Sequence, residues 1–274
     1  MHLTLSPGRT TRKAAHARTA SQPSPYQHQH HPALARLDGG VRELRSWTVS
    51  SSGSVAADGS SGLALVEAVL AALGVVLELP HAVAALHGGE AAACDRALDG
   101  FLVLADAYGT FESALLALRE SVVEARGGAR RGDGATVVAA LRAYRRTEKE
   151  LCRLAAAMRQ ASRPAADATG NDVGYVVAEA AAAIAAASEA IFLGCAAMSP
   201  DMLSISKTAS SKNWLSRLHV MPAAKKVLPE TAMAAAAELE RLEECFGELE
   251  SESEKVFRRL LQSRVSLLNI HNPL

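Results

Sequence analysis

Several groupings in the sequence bring together side chains able to do chemistry. The stretch HQHH places His28, His30 and His31 within reach of one weakly held metal ion. No carboxylate or cysteine stands beside them, so solvated histidines and no metal are the expectation. His81 and His87 flank a turn and are expected to face solvent. Asp95 and Asp99 are four residues apart, so a helix sets them on one face. An exposed helical face explains that pair without catalysis. The stretch GGARRGDG has the glycines of a phosphate cradle, yet it lacks the lysine–serine ending and follows a helix instead of a strand. That excludes a P-loop. Cys94, Cys152, Cys195 and Cys245 each stand alone, without a C-x-x-C pair. Free buried thiols in a reducing compartment follow, with neither a zinc ribbon nor a redox motif. No nucleophile with its base is recognisable, so the expectation is a protein without catalytic residues or cofactor.

Two acid-free basic regions remain. Met1 to Leu37 carries Arg9, Arg12, Lys13, Arg18 and Arg36, and Met202 to Pro229 carries Lys207, Lys212, Arg217, Lys225 and Lys226. In the first, RTAS sets an arginine three residues before Ser21; in the second, Ser206, Ser210 and Ser211 lie among lysines. These four serines are candidate phosphorylation sites, where added charge would reverse the local polarity. In NWLSRLHVM, Trp214 and two leucines adjoin Lys212 and Arg217, a pattern able to lie on an anionic membrane or against a partner. Docking of Trp214 onto the rest of the chain competes with that reading.

These candidates must be carried by helices. Of 274 residues, 49% are hydrophobic but only 4% aromatic, so Leu, Val and Ala have to fill the core. Alanine and leucine favour the α-helix, and strand formers are scattered. Basic and acidic residues balance at 29 each, which argues against a nucleic-acid partner. No continuous apolar stretch opens the chain as a secretory signal would. The acid-poor head also fits a plastid transit peptide, but its Pro, Gln and His content favours the cytosol. Leu63–Leu86 and Val176–Met198 look like membrane spans until Glu67, Glu78, Glu179 and Glu189 interrupt them. Buried helices of a soluble bundle are the expectation.

The organisation predicted is a disordered head and linker over 1–62 and a helical bundle over 63–270, with a flexible basic loop at 199–229. Within the head, Pro32–Trp47 reads as a short helix broken at Gly39 and Gly40, and Thr48–Gly62 as a linker by composition. A helix from Leu63 ends or kinks at Pro80. A long one runs from about Glu90 to Ala125, weakened at Gly100 and Gly109, and Arg126–Gly134 closes it. Asp133 is the expected N-cap of a helix to about Ala161. Asn171 or Asp172 caps an alanine-rich helix to about Met198, expected at the bundle's centre. The class is all-α, an elongated antiparallel helical bundle.

The last helix, Glu230 to about Ile270, is the most patterned. Leu239, Leu242, Phe246, Leu249, Ser253, Val256, Leu260, Ser263, Leu267 and Ile270 follow spacings of 3 and 4 without a fault, a heptad seam. Acids flank its first half and arginines its second, which suits the helix dipole. After Val256 the stripe widens through Phe257, Leu261 and Leu268. A coiled-coil homodimer is one use of such a seam; packing against the chain's own helices is the favoured one, because the widened stripe needs more than one neighbour.

Several stretches, in order, resemble one plant family, the proteins related to Bypass. SQPSPYQHQHHP is similar to its Ser/Pro-rich entry, although Gln-rich spacing replaces the usual Arg-Ser pattern. LVEAVLAALGVVLELPHAVAAL resembles its helix closing on Leu-Pro, here Leu79 and Pro80. ALDGFLVLADAYGTFESALLALRESV resembles its Leu-Asp-Gly helix, here Leu98, Asp99 and Gly100 with Gly109 further on. SSKNWLSRL is similar to its Ser-Lys-Trp segment, and the run from Glu238 to Ile270 resembles its closing helix most closely. The similarity extends from about residue 20 onward. It implies a role in root and shoot development and brings no catalytic residues with it; action through protein partners is the expectation.

Overall fold

The computed structural model describes residues 31–50, 55–88, 91–131, 133–163, 173–198 and 229–272. Among them it has seven helices and no strand. These are α1 (Pro32–Ser50), α2 (Val55–Leu77), α3 (Pro80–Gly88), α4 (Ala91–Arg131), α5 (Gly134–Ala161), α6 (Val173–Ala197) and α7 (Pro229–His271). An all-α helical bundle with a long closing helix is the architecture observed.

Direction and register follow from named pairs. Arg126 meets Glu243 at 2.9 Å, Arg119 meets Glu250 at 2.9 Å and Asp95 lies 3.7 Å from His271, so α4 and α7 run antiparallel along their length. Arg259 meets Glu67 at 2.8 Å, and Gly59 lies beneath Leu249, which sets α2 parallel to α7. The alanine-rich α6 touches α1 to α5 and lies at the centre, as its small side chains allow. Its Ala180, Ala183, Ala187 and Gly194 are buried, so neighbouring backbones approach closely. Where α4 crosses α6, Tyr108, Phe111 and Phe192 cluster with ring centroids 4.4 to 6.1 Å apart. The Tyr108 hydroxyl and Ser188 Oγ are 3.0 Å apart, which satisfies a polar group in an otherwise apolar centre.

Local chemistry explains several boundaries. Asp133 caps α5: its carboxylate accepts from the backbone N–H of Ala135 and Thr136 and from the Thr136 hydroxyl. Those contacts hold its carboxyl below the usual range. Pro80 opens α3 after α2 ends at Leu77, the first-turn position proline tolerates best. The expected cap at Asn171 or Asp172 lies outside the described residues.

The described bundle begins well before the expected residue 63. α1 is continuous through Gly39 and Gly40 and buries Leu37, Val41 and Leu44. Residues 55–62, expected as linker, form the first turns of α2. The glycines that gave this stretch its linker composition are packing devices. A Cβ on Gly62 would lie 2.4 Å from the Trp47 ring, and one on Gly59 would lie 3.1 Å from Leu249. α4 likewise runs six residues past Ala125, through Gly127 and Gly128. A Cβ on Gly128 would come within 3.0 to 3.2 Å of Val137, the Asp133 carbonyl and Thr136, so glycine lets α5 fold back closely.

The expectation about membrane spans also meets a more detailed picture. By length and composition, helical stretches Gly59–Leu77, Cys94–Arg131 and Val173–Ala197 are long and apolar enough to cross a membrane. Half of each apolar window is buried inside the bundle.

Candidate functional site

The heptad seam of α7 is consumed within the chain. All ten of its residues, Leu239 to Ile270, are buried, against α4 and α2. The widened stripe behaves differently from the expectation. Phe257 packs partly onto the core, but Leu261 and Leu268 are 41% and 38% exposed. Val265, one turn from each, is 55% exposed. Large aliphatics at these levels form an outward stripe along α7, opposite in purpose to the seam.

Beside that stripe runs a groove of about 580 Å³ between α4 and α7, with Glu150 of α5 at its edge. Its floor is built from small α4 residues, among them Ala105 and Gly109. Gly109 keeps the floor open: a Cβ there would sit 3.8 Å from the Phe257 ring, an ordinary contact, so the site would accept one but lose depth. Leu102, Phe257 and Leu261 give apolar walls, while Asp106 and Arg264 give charge. Buried Nε of Arg264 has no hydrogen-bond partner among the described residues. Neither Arg264 nor Asp106 belongs to an ion pair among them. The buried Nε–H of Arg264 carries a desolvation cost, while the rest of the guanidinium is part-exposed at the groove.

Further along the same helix pair, Glu112 of α4 faces an acidic stretch of α7. Burial raises its carboxyl pKa first; the charges of Glu254 and Glu250 add to this, and Arg258 opposes them.

Other sequence candidates are dispersed. Asp95 and Asp99 are exposed on α4, and Asp95 faces His271. His87 is exposed as expected, but His81 is only part-exposed and its ring lies 5.4 Å from that of His31. The thiols are not all buried: Cys152 is exposed on α5, while Cys94 and Cys195 are buried and Cys245 is half-buried. Burial pushes Cys195 up to about 12 and also raises Cys94 and Cys245, which keeps these three protonated and poorly nucleophilic at neutral pH. Among the described residues no group of three or more His, Cys, Asp or Glu is placed to hold a metal ion. Candidates Lys207, Lys212, Trp214, Arg217, Lys225 and Lys226 lie outside the described residues, as do Ser21, Ser206, Ser210 and Ser211.

Sequence reading missed the groove. Periodicity placed Leu261 and Leu268 on α7's apolar arc, but it says nothing about how far the neighbouring helices reach around that arc. Gly109 in mid-helix was the available signal, a residue that costs helix stability of about 1 kcal/mol and needs a reason to be there.

Residues 62–270 match the family model described as Protein BPS1. The chain matches no curated protein and no solved structure.

Proposed function

The chain belongs to the BPS1 family, a plant family linked to root and shoot development, and we propose that it serves there as a non-catalytic binding protein whose α4–α7 face receives protein partners. One observation carries this reading: a groove carrying Asp106 and Arg264, neither in an ion pair among the described residues, bordered by exposed Leu261, Val265 and Leu268. Its size suits side chains of a partner helix, which bury apolar surface in such grooves and meet charges at the rim. The cytosol is the compartment we propose, with the plastid as the competing one.

Proximity labelling in root cells tests the proposal. The wild-type chain is compared with one carrying Leu261→Glu and Val265→Glu, both at exposed positions that leave the core intact. A set of labelled neighbours lost from the double variant supports the α4–α7 face. Identical sets for the two chains would sink it. A competing reading places the basic residues 202–229 on an anionic membrane. For it, vesicles of anionic phospholipid should sediment the wild type but not a chain with Lys207, Lys212, Lys225 and Lys226 changed to Glu. Failure to sediment with either chain removes that reading.

A further inference from the structure

We infer that the α4–α7 face pairs with a second copy of this chain, which rests on the reading of that face as a protein-binding surface. Three observations bear on the choice of occupant. First, the heptad seam that made a coiled-coil dimer plausible is already filled by α4 and α2, so self-association must use another face. Second, the exposed aliphatic stripe and the groove lie side by side, the stripe on α7 and the small-residue floor on α4. A surface holding both a ridge and its receptor can complement itself. Third, the groove holds both halves of an ion pair, Asp106 on one wall and Arg264 on the other, and neither is paired among the described residues.

Two-fold symmetry uses all three at once. An isologous interface sets each patch against its own copy, so residue i meets j and j meets i. With the axis lying in the interface and running along the groove, α7 of each copy lies over α4 of the other at the same level. α4 and α7 are antiparallel within one copy, and Phe257 sits opposite Gly109, so Arg264 is level with the Leu102–Asp106 stretch of α4. The arrangement therefore brings each Arg264 to the Asp106 of the second copy. It also covers Leu261 with the Ala105–Gly109 floor and Val265 with the Leu102 end of the groove. The part-exposed guanidinium of Arg264 gains a carboxylate partner, a charge-assisted contact of the kind that fixes register in an interface. An unrelated partner would need to supply acid and base in the same mirrored order; a second copy has them by construction.

The test is the mass of the full chain in solution, by light scattering coupled to size exclusion and by sedimentation equilibrium. The expected mass is twice 28.7 kDa. Asp106→Arg sets two guanidinium groups against each other and should weaken the dimer about tenfold or more. Arg264→Asp alone should do the same with two carboxylates. The double variant restores the pair with its charges exchanged and should recover most of the affinity, a rescue that a general loss of stability would not give. Val265→Glu, at the most exposed of the three stripe positions, should give a monomer with unchanged circular dichroism, melting lower only by the stabilisation that pairing supplied. A wild-type monomer at micromolar concentration overturns the inference. So does a dimer indifferent to all four variants. A monomeric wild type whose labelled neighbours still depend on Leu261 and Val265 leaves the protein-binding reading standing and removes only the second copy.

Discussion

Gly62 lies directly beneath the Trp47 ring, where even a methyl group would sit 2.4 Å from the indole. Relief requires the indole to swing away about its χ angles or α1 to shift. Gly62→Val is expected to destabilise the chain by about 1 to 3 kcal/mol, the usual cost of forcing extra carbons into a packed site. Urea unfolding measures that loss, and faster tryptic cleavage at Arg45 would show that α1 is the part displaced. Glu112 makes a prediction of opposite sign. Its folded pKa lies above the unfolded value, so the native chain holds the extra proton in the interval between the two. Stability is therefore highest below that interval and falls as pH rises through it. Glu112→Gln should melt higher than the wild type at neutral pH and show less decline as pH rises above the ordinary carboxylate range. Equal melting at pH 7 would argue against an unfavourable charge there. At this scale the sequence was partly legible. Asp133 announced its cap by type and position, because the capping bond is local. Gly62 and Gly59 read as linker residues, because the indole and leucine that require them are brought in from elsewhere.

α7 shows how far periodicity alone reaches. Spacings of 3 and 4 identified ten positions, and all ten are buried, because a helix turns a one-dimensional pattern into one face. Leu260 is fully buried within it. Leu260→Asp removes a packed side chain and places a carboxylate in an apolar interface, at an expected cost of about 4 kcal/mol or more. Loss of the cooperative thermal transition is the expected result, and a melting temperature equal to the wild type would contradict it. Ser253 is the exception on that seam. It is buried with an unsatisfied hydroxyl among the described residues, so Ser253→Ala should stabilise by about 1 kcal/mol, measured by urea unfolding. The outer stripe was harder to read. Leu261 and Leu268 have the chemistry of core residues, and only the positions of α4 and α5 decide that they stand outside.

Over the whole molecule, the matched residues 62–270 and the folded body do not coincide. α1 precedes the match, yet it packs on α2 and α6 and buries three of its own residues there. A chain shortened to 62–270 would bare the apolar sides of α2 and α6 that α1 covers. It should bind a hydrophobic dye strongly and aggregate on concentration, whereas a chain beginning at residue 31 should do neither. A monodisperse 62–270 chain with the full-length melting temperature would show that α1 is dispensable. The fold class was legible throughout, since alanine and leucine leave few alternatives to helices. The edge of the body was not, because glycine and serine look alike in a linker and beneath a close-packed ring.

The order of contacts also bears on how the protein is made. α7 touches α4 and α2, whereas α6 lies on the other side of that pair among α1 to α5. During synthesis the first six helices therefore leave the ribosome with one side of α2 and α4 bare. That side stays uncovered until the last 43-residue helix has emerged. At about 5 to 20 residues per second the wait lasts several seconds. A nascent chain in that state presents a long apolar trough to anything nearby, so chaperone occupancy should peak on ribosomes that have completed α6 but not α7.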